Sequence, residues 1–259
     1  MPVYVGAFPG GRPAPDLSTV PPLGFNLAFA NDAGGGNFQP QWDPAITPEV
    51  IAQLKQQGDF YFSASLGGDA NYAPWVPPSD PAAWVSNATS SLVQLMDTYG
   101  LSYLDIDYEG GPNGLDDSFV ECISQVLINI GSPQSRGIAT IAPFAGTLSA
   151  YQALWEQCST WINTVNYQAY ADGIPDVQGY LDLYAGLAQQ FYGYDRLGLG
   201  IASSASSPRG LQPPDIYTVY EKLHAQGMGG VAIWCAEDSA TSDPPFAIEN
   251  TLLSIAQGG

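Results

Sequence analysis

The sequence is poor in cations. Its 259 residues hold six Lys and Arg against 25 Asp and Glu, a formal net charge of −19. Only 12% of residues are charged, about half the usual share for a soluble domain. Six dispersed cations cannot replace the counterions condensed on a nucleic-acid backbone, so nucleic-acid binding is excluded. An anionic membrane surface would repel the chain. Histidine occurs once, at His224. A Ser-His-Asp triad or a His-based zinc site therefore has a single candidate. It sits in the helix-like stretch Lys222-Leu223-His224-Ala225-Gln226 and reads as a surface or packing residue. Cys122, Cys158 and Cys235 are too few and too far apart for a disulfide scaffold, and no CxxC metal spacing occurs. No apolar run approaches the 18 residues of a membrane span, and no leader peptide is visible. No metal and no cofactor is expected.

What the sequence does have is a core. Hydrophobic residues make up 45%, with 6 Trp, 15 Tyr and 10 Phe. That excludes intrinsic disorder. The excess acids read mainly as a solvated surface. Asn87-Ala88-Thr89 is a glycosylation sequon and favours secretion weakly.

Eight short apolar runs alternate with helix-like stretches. The strands are expected at 3–8, 24–30, 60–66, 103–108, 137–143, 163–170, 197–202 and 229–234. They have the length and apolar character of buried parallel strands. Helices are expected from Thr47 and Asp80, each followed by Pro at the first helical position, and then at 116–130, 148–157, 177–190, 214–226 and 245–256. Only 10–23 reads as a loop between strands. Eight strands with helical crossovers predict an α/β fold, a (β/α)8 TIM barrel, in one domain spanning 1–259. Gly and Pro concentrate after the strands, where such a barrel builds its site.

The fourth predicted strand carries Asp105, Asp107 and Glu109. A spacing of two puts all three on one face. Ile106 and Tyr108 take the other face and, with Leu104, suit packing under helices. The acids must then face the barrel interior. Burying three together costs several kcal/mol per charge, roughly, unless protons or hydrogen bonds offset it. Like charges this close cannot all ionise, so at least one holds a proton near neutral pH. A carboxylic acid kept neutral by a neighbour is what general acid catalysis needs. The competing readings are an exposed acidic edge or a cation site. The Gly110-Gly111 pair directly after the strand argues for a barrel mouth.

Asp105-Ile106-Asp107-Tyr108-Glu109 resembles the end of the DxxDxDxE signature of glycoside hydrolase family 18, the chitinase family. Ser65-Leu66-Gly67-Gly68 is similar to the family's SxGG motif. Phe25-Asn26-Leu27-Ala28-Phe29, Ala139 to Pro143, Tyr167-Gln168-Ala169-Tyr170 and Gly230-Val231-Ala232-Ile233-Trp234 resemble its second, fifth, sixth and eighth strands, in the right order. The compact length, the segment Ala83-Trp84-Val85-Ser86-Asn87-Ala88 and the pair Glu237-Asp238 are most similar to plant class III chitinases of the bulb type, a family of plant defence.

This resemblance implies an enzyme and a mechanism. Glu109 would protonate the glycosidic oxygen. The carbonyl oxygen of the substrate's own N-acetyl group would be the nucleophile. Asp107 would orient that acetamide and offset the positive charge, and Asp105 would tune the proton on Asp107. Tyr170 would hydrogen-bond the acetamide, with Gln168 beside it. Trp234 would floor the sugar site, its alternative being a core tryptophan. Tyr4 and Phe29 are floor candidates of equal standing with plain core packing. Trp42, Tyr72, Trp75 and Phe144 are either further subsites or loop anchors.

The implied activity is endo-hydrolysis of β-1,4-linked N-acetylglucosamine polymers, with chitin or its oligosaccharides as the partner. A monomer is expected, secreted or vacuolar, with a moderately acidic optimum. The alternatives are an endo-β-N-acetylglucosaminidase acting on N-glycans, or a weakly catalytic chitin-binding lectin or storage protein. Two departures from the signature keep the second alternative open. Ser102 stands in place of the first Asp, and Tyr103 in place of the usual Gly. Ser102 has the parity of Leu104, away from the acids. Tyr103 should point inward at the bottom of the barrel.

Overall fold

A computed structural model describes residues 1–8, 10–21, 24–131, 137–203 and 209–258. Nine strands form one sheet in the order β1-β9-β8-β7-β6-β5-β4-β2-β3, and a pairing of β1 with β2 closes it. Eight of these strands are parallel: β1 (Pro2–Val5), β2 (Gly24–Asp32), β4 (Phe62–Gly68), β5 (Tyr103–Tyr108), β6 (Ala139–Ile141), β7 (Ile162–Tyr167), β8 (Leu197–Ala202) and β9 (Gly230–Trp234). The fold is the expected (β/α)8 TIM barrel. The short β3 (Phe38–Pro40) returns antiparallel on the end of β2. Its three residues leave too short a pattern to read as a strand.

The helices lie between the strands as expected: α1 (Pro48–Gln57), α2 (Pro81–Tyr99), α3 (Asp117–Ile130), α4 (Leu148–Cys158), α5 (Val177–Leu187), α6 (Asp215–Ala225), the one-turn α7 (Ala236–Ser239) and α8 (Ala247–Ala256). Asp80 caps α2 by accepting from the Ala83 N–H at 3.0 Å, and Thr47 caps α1 through Val50 N–H at 3.4 Å. Among the described residues, no helix is long and apolar enough to cross a membrane.

Several expected boundaries shift. The first strand stops at Val5, because Gly6 takes φ +83° and its backbone abuts Trp42. The run expected at 163–170 ends as a strand at Tyr167, and Tyr170 lies in a 3₁₀ turn over Ala169–Ala171. The helix expected to reach 190 gives way to a π turn over Ala188–Tyr192. The 10–23 loop carries a 3₁₀ turn over Leu17–Thr19. Residues 22 and 23 fall outside the described residues.

The two faces of the sheet differ sharply. Outward residues such as Phe25, Leu27, Phe62, Leu104, Ile106, Val165, Leu199 and Ile233 join the main core under the helices. Trp75 anchors it at the β4–α2 loop, with Trp84, Tyr108 and Phe119 rings 5.3–5.5 Å away. Trp42 is likewise buried, edge-on to Tyr99 at 5.1 Å. Both are loop anchors rather than sugar subsites. The barrel interior is small and polar instead. Asn26, Ser63, Ser65, Asp105, Asp107 and Asn166 are all buried. Branched apolar residues usually fill this space.

Away from the barrel mouth, Glu249 of α8 is wholly buried, and neither carboxylate oxygen has a hydrogen-bond partner within 3.5 Å among the described residues. Burial raises its pKa, with Ser239 and its own backbone pulling back. The folded state therefore holds this proton more tightly than the unfolded chain. Its stability is full below the ordinary carboxylate range and is lost as pH rises toward the folded pKa. Replacing Glu249 by Met removes a buried charge without opening a cavity. Glu249→Met is expected to raise the melting temperature by about 2–4 °C at pH 7 and by almost nothing at pH 4. Equal gains at both values would show that Glu249 carries no buried charge.

Candidate active site

The expected parity of β5 is borne out in the register. Ser65 of β4, Asp105 of β5 and Thr140 of β6 lie side by side, with Gly67 beside Asp107 one step higher. Asp105 is 0% exposed and Asp107 3%, while Glu109, just past the strand, is half-buried at the mouth. The ladder thus climbs from a sealed carboxyl to an accessible one.

Asp105 sits at the lowest rung. Its Oδ2 accepts from Tyr4 Oη at 2.9 Å and Ser65 Oγ at 2.8 Å, and its Oδ1 accepts from Thr140 Oγ1. Burial raises its pKa, and those three donors offset part of the rise. Asp107 accepts from Gln168 Nε2 at 2.8 Å. Burial drives its pKa well up, and Glu109 and then Asp105 add to the rise. Glu109 is raised by burial and by Asp69, with Gln168 and Arg209 opposing. The three cannot all ionise together, as their spacing implies.

Gln168 ties the next residues in. Its Nε2 also reaches the Ala142 carbonyl at 2.8 Å, and its Oε1 accepts from Tyr170 Oη at 2.7 Å. Tyr170 is therefore chained to Asp107 through Gln168. Asp107, Glu109 and Tyr170 influence one another's ionisation, which places them in one electrostatic neighbourhood.

Beside this ladder, joined to it at Tyr4, lies an aromatic cluster. Phe29 stacks on Trp234 with ring centroids 5.8 Å apart and planes at 25°. Tyr4 meets Trp234 at 5.6 Å, and Phe8 meets its edge at 6.1 Å. Phe8, Phe29 and Trp234 are half-buried, packed against buried Tyr4, Ala28, Ala232 and Cys235. Trp234 and Phe29 are thus available as a floor. Tyr4 is buried and serves Asp105 through its hydroxyl, so it is a carboxylate partner rather than an open floor. The paired glycines of the SxGG motif have a physical reason here. Gly68 takes φ +94°, and a Cβ there would meet the Phe29 ring at 2.9 Å. A Cβ at Gly67, φ +99°, would meet Tyr108 at the same distance.

Several residues were not legible as site members. Thr140 and Ser65 bind Asp105 only because three strands align in register. Phe8 lies in the loop after β1, where Arg12 stacks on its ring at 4.0 Å and pairs with Asp238. Arg209 is a cation near Glu109 that the scarcity of basic residues disguised. Tyr72 is 88% exposed, and Phe144 is half-buried at its loop. Tyr103 points to the bottom as expected and meets Tyr61 edge-on at 6.0 Å. His224 is exposed on α6, stacked on Tyr220 at 5.5 Å. Asn87 of the sequon is exposed within α2 and donates to the Gly35 carbonyl at 2.9 Å. Among the described residues, no group of His, Cys, Asp and Glu has the arrangement of a metal site.

A cavity of about 460 Å³ lies outside the barrel wall, between the 74–80 loop and α2. Tyr108, Trp75 and Trp84 line it, and none of the three ladder acids does.

Acids stacked inside a parallel barrel, rising to a half-buried glutamate, are the arrangement of a barrel glycosidase. Comparison with known proteins narrows the class. The chain is 32% identical over 274 residues to Chitinase 1 of Tulipa saxatilis subsp. bakeri, covering 97% of this chain and 85% of that protein. It is 26% identical over 245 residues to the RuBisCO-associated protein of Glycine max, covering 87% and 85%. The crystal structure of the catalytic domain of a family GH18 chitinase from the fern Peteris ryukyuensis superimposes with a TM-score of 0.86 at 30% identity, covering 98% of both chains. No family model matches the chain. The protein belongs to glycoside hydrolase family 18, the chitinase family, and is a hydrolase.

Proposed function

We propose that the protein is an endo-acting chitinase that cleaves β-1,4 bonds between N-acetylglucosamine units with retention, the whole of 1–259 acting as one monomeric catalytic barrel. The reading rests above all on Glu109, half-buried at the mouth, directly above two buried carboxyls of raised pKa. Glu109 donates its proton to the glycosidic oxygen, and the C1–O bond breaks. The acetamide carbonyl oxygen of the same sugar closes on C1, giving an oxazolinium ion. Asp107, buried and held by Gln168, orients the acetamide N–H and offsets the charge. Asp105 fixes the proton balance of Asp107 from below. Glu109 then takes a proton from water, whose oxygen bonds to C1 from the face the leaving group vacated and breaks the oxazolinium C1–O bond, giving net retention. Tyr170 turns from Gln168 to the acetamide oxygen. Trp234, with Phe29 beside it, floors the sugar through its apolar face. A neutral polymer needs such rings and hydrogen bonds more than counter-charge, in keeping with six cations in the chain.

The bulb type of plant class III is the subgroup we favour, and the tulip relative supports it. A second reading, a weakly catalytic sugar-binding protein, draws on Ser102 and Tyr103 in the signature and on a relative not named as a chitinase.

The test is a substrate panel of chitin oligosaccharides, colloidal chitin and N-glycosylated proteins. Cleavage within the chitin oligosaccharides is the expected result. Release of N-glycans alone would assign an endo-β-N-acetylglucosaminidase, and no cleavage of any substrate would leave the sugar-binding reading. Activity requires Glu109 protonated. Its raised pKa extends the active range upward from the usual glutamate value, and activity falls as pH passes the folded pKa. An optimum on the acid side of neutral follows. A rate still rising above pH 8 would contradict it.

A further inference from the structure

The bottom of the barrel contains a second polar space. A cavity of about 230 Å³ opens at the N-terminal ends of the strands, lined by Asn26, Ser63, Tyr103, Thr140, Asn166 and Gly230 among others. That is room for several waters. The side chains of Asn26 and Asn166 are 2% and 3% exposed, and the Nδ2 of each has no protein partner. Ser63 Oγ lies 2.5 Å from Asn26 Oδ1 and 3.2 Å from the Phe25 carbonyl, and gives its single proton to one of them. A buried donor left unpaired costs about 1–3 kcal/mol, so two such amides on one cavity call for a hydrogen-bond acceptor within it. Gly229 and Gly230, at the start of β9, help to create the space. A Cβ built on Gly230 would meet nothing within 4 Å.

One side chain joins this cavity to the acid ladder. Asp105 is sealed, and its partners Ser65 and Tyr4 are buried. Thr140, its third partner, is half-buried and lines the cavity. Its hydroxyl gives its one proton to Asp105 Oδ1. The oxygen's acceptor capacity remains for a donor on the cavity side.

We propose that the lower barrel is a water-binding site, held by Asn26 and Asn166, that reaches the carboxylate ladder through Thr140 and gives it a rear path for proton exchange. With Asp105 ionised, a proton arriving from solvent along the cavity waters passes from the nearest of them to Thr140 Oγ1 as the threonine's own proton moves to Asp105 Oδ1, which leaves that water neutral. One proton enters, one leaves, and the hydroxyl is restored. The ladder thus equilibrates with solvent while sugar covers the mouth, which rests on the chitinase reading. The hydration itself does not. Thr140, Asn26 and Asn166 are positioning residues, since they act through Asp105. The other titratable groups facing Asp105 are Asp107 on its own strand, Tyr4 of β1 and Tyr151 of α4. The terminal ammonium of Met1 borders the cavity and donates to Tyr61 Oη at 3.1 Å.

The test uses the full ligand-free chain and needs no turnover. Aspartate carboxyl ¹³C shifts are followed against pH in the wild type and in Gly230→Val, whose methyls take up part of the cavity. Drying the cavity further penalises charge on Asp105. The Asp105–Asp107 pair should therefore titrate about one pH unit higher in Gly230→Val. Thr140→Val, nearly isosteric, should raise it similarly, and Thr140→Ser should restore it. Water ¹⁷O relaxation dispersion should show long-lived internal waters in the wild type and fewer in Gly230→Val. An unmoved titration in folded Gly230→Val, or a wild type without long-lived water, overturns the proposal. Failure to cleave chitin would defeat the proposed function and leave these readouts intact.

Discussion

Glu109→Gln is expected to lower kcat on chitin oligosaccharides by about 10²–10⁴-fold while leaving KM within a few-fold. The amide keeps the size of the side chain but has no acidic proton for the leaving oxygen. Glu109 lies past the end of β5, with its N–H on the Gly68 carbonyl at 3.3 Å and its side chain half-buried. The substitution leaves that backbone contact and the packing of Tyr108 undisturbed. Melting temperature should therefore stay the same or rise slightly, because a carboxyl of raised pKa has been removed. Loss of activity without loss of stability separates a catalytic role from a structural one. Equal, negligible rates in wild type and variant would remove the enzymatic assignment of Glu109 altogether.

Asp107→Asn is expected to cost about 10²–10³-fold in kcat, the scale for losing one electrostatic stabiliser in a dry site. The change removes the charge that offsets the oxazolinium ion. It also leaves Gln168 Nε2 facing an amide rather than a carboxylate. The pH profile carries the more specific signature. Glu109 adds to the rise at Asp107, and two carboxyls this close titrate as a pair whose last proton leaves at raised pH. Without Asp107, Glu109 should lose its proton at lower pH, so the alkaline limb of kcat/KM moves toward acid. A fall in kcat with an unmoved alkaline limb would mean that the two carboxyls do not share a proton.

The barrel and the acid ladder could be read directly from the residues because both depend on local periodicity. Asp105, Asp107 and Glu109 alternate with Leu104, Ile106 and Tyr108, and a strand has no other way to place them. Helix starts at Thr47-Pro48 and Asp80-Pro81 announce themselves through capping chemistry. What surrounds the acids is set by alignment between distant strands, which local pattern does not encode. Ser65 and Thr140 reach Asp105 because β4 and β6 fall in register with β5. Nothing within either strand marks that register.

Loop geometry was hidden for a different reason. Trp42 and Trp75 sit in polar, Pro-rich segments that resemble exposed subsites. In the fold these segments turn back, and the rings pack against Tyr99, Trp84 and Phe119. Tyr4 shows the limit of assigning one role to an aromatic. Its ring packs near Trp234, and its hydroxyl serves Asp105. Tyr170 lies beyond the strand, in a turn, yet still reaches the ladder through Gln168.

In the proposed mechanism the substrate's acetamide attacks C1 once Glu109 protonates the leaving oxygen. Proton NMR of the new reducing end, recorded during early cleavage of a chitin oligosaccharide, tests it most directly. The β-anomer should appear first and mutarotate later, and the same oligosaccharide stripped of its N-acetyl groups should not be cleaved. First appearance of the α-anomer, or equal cleavage of the deacetylated chain, would contradict it.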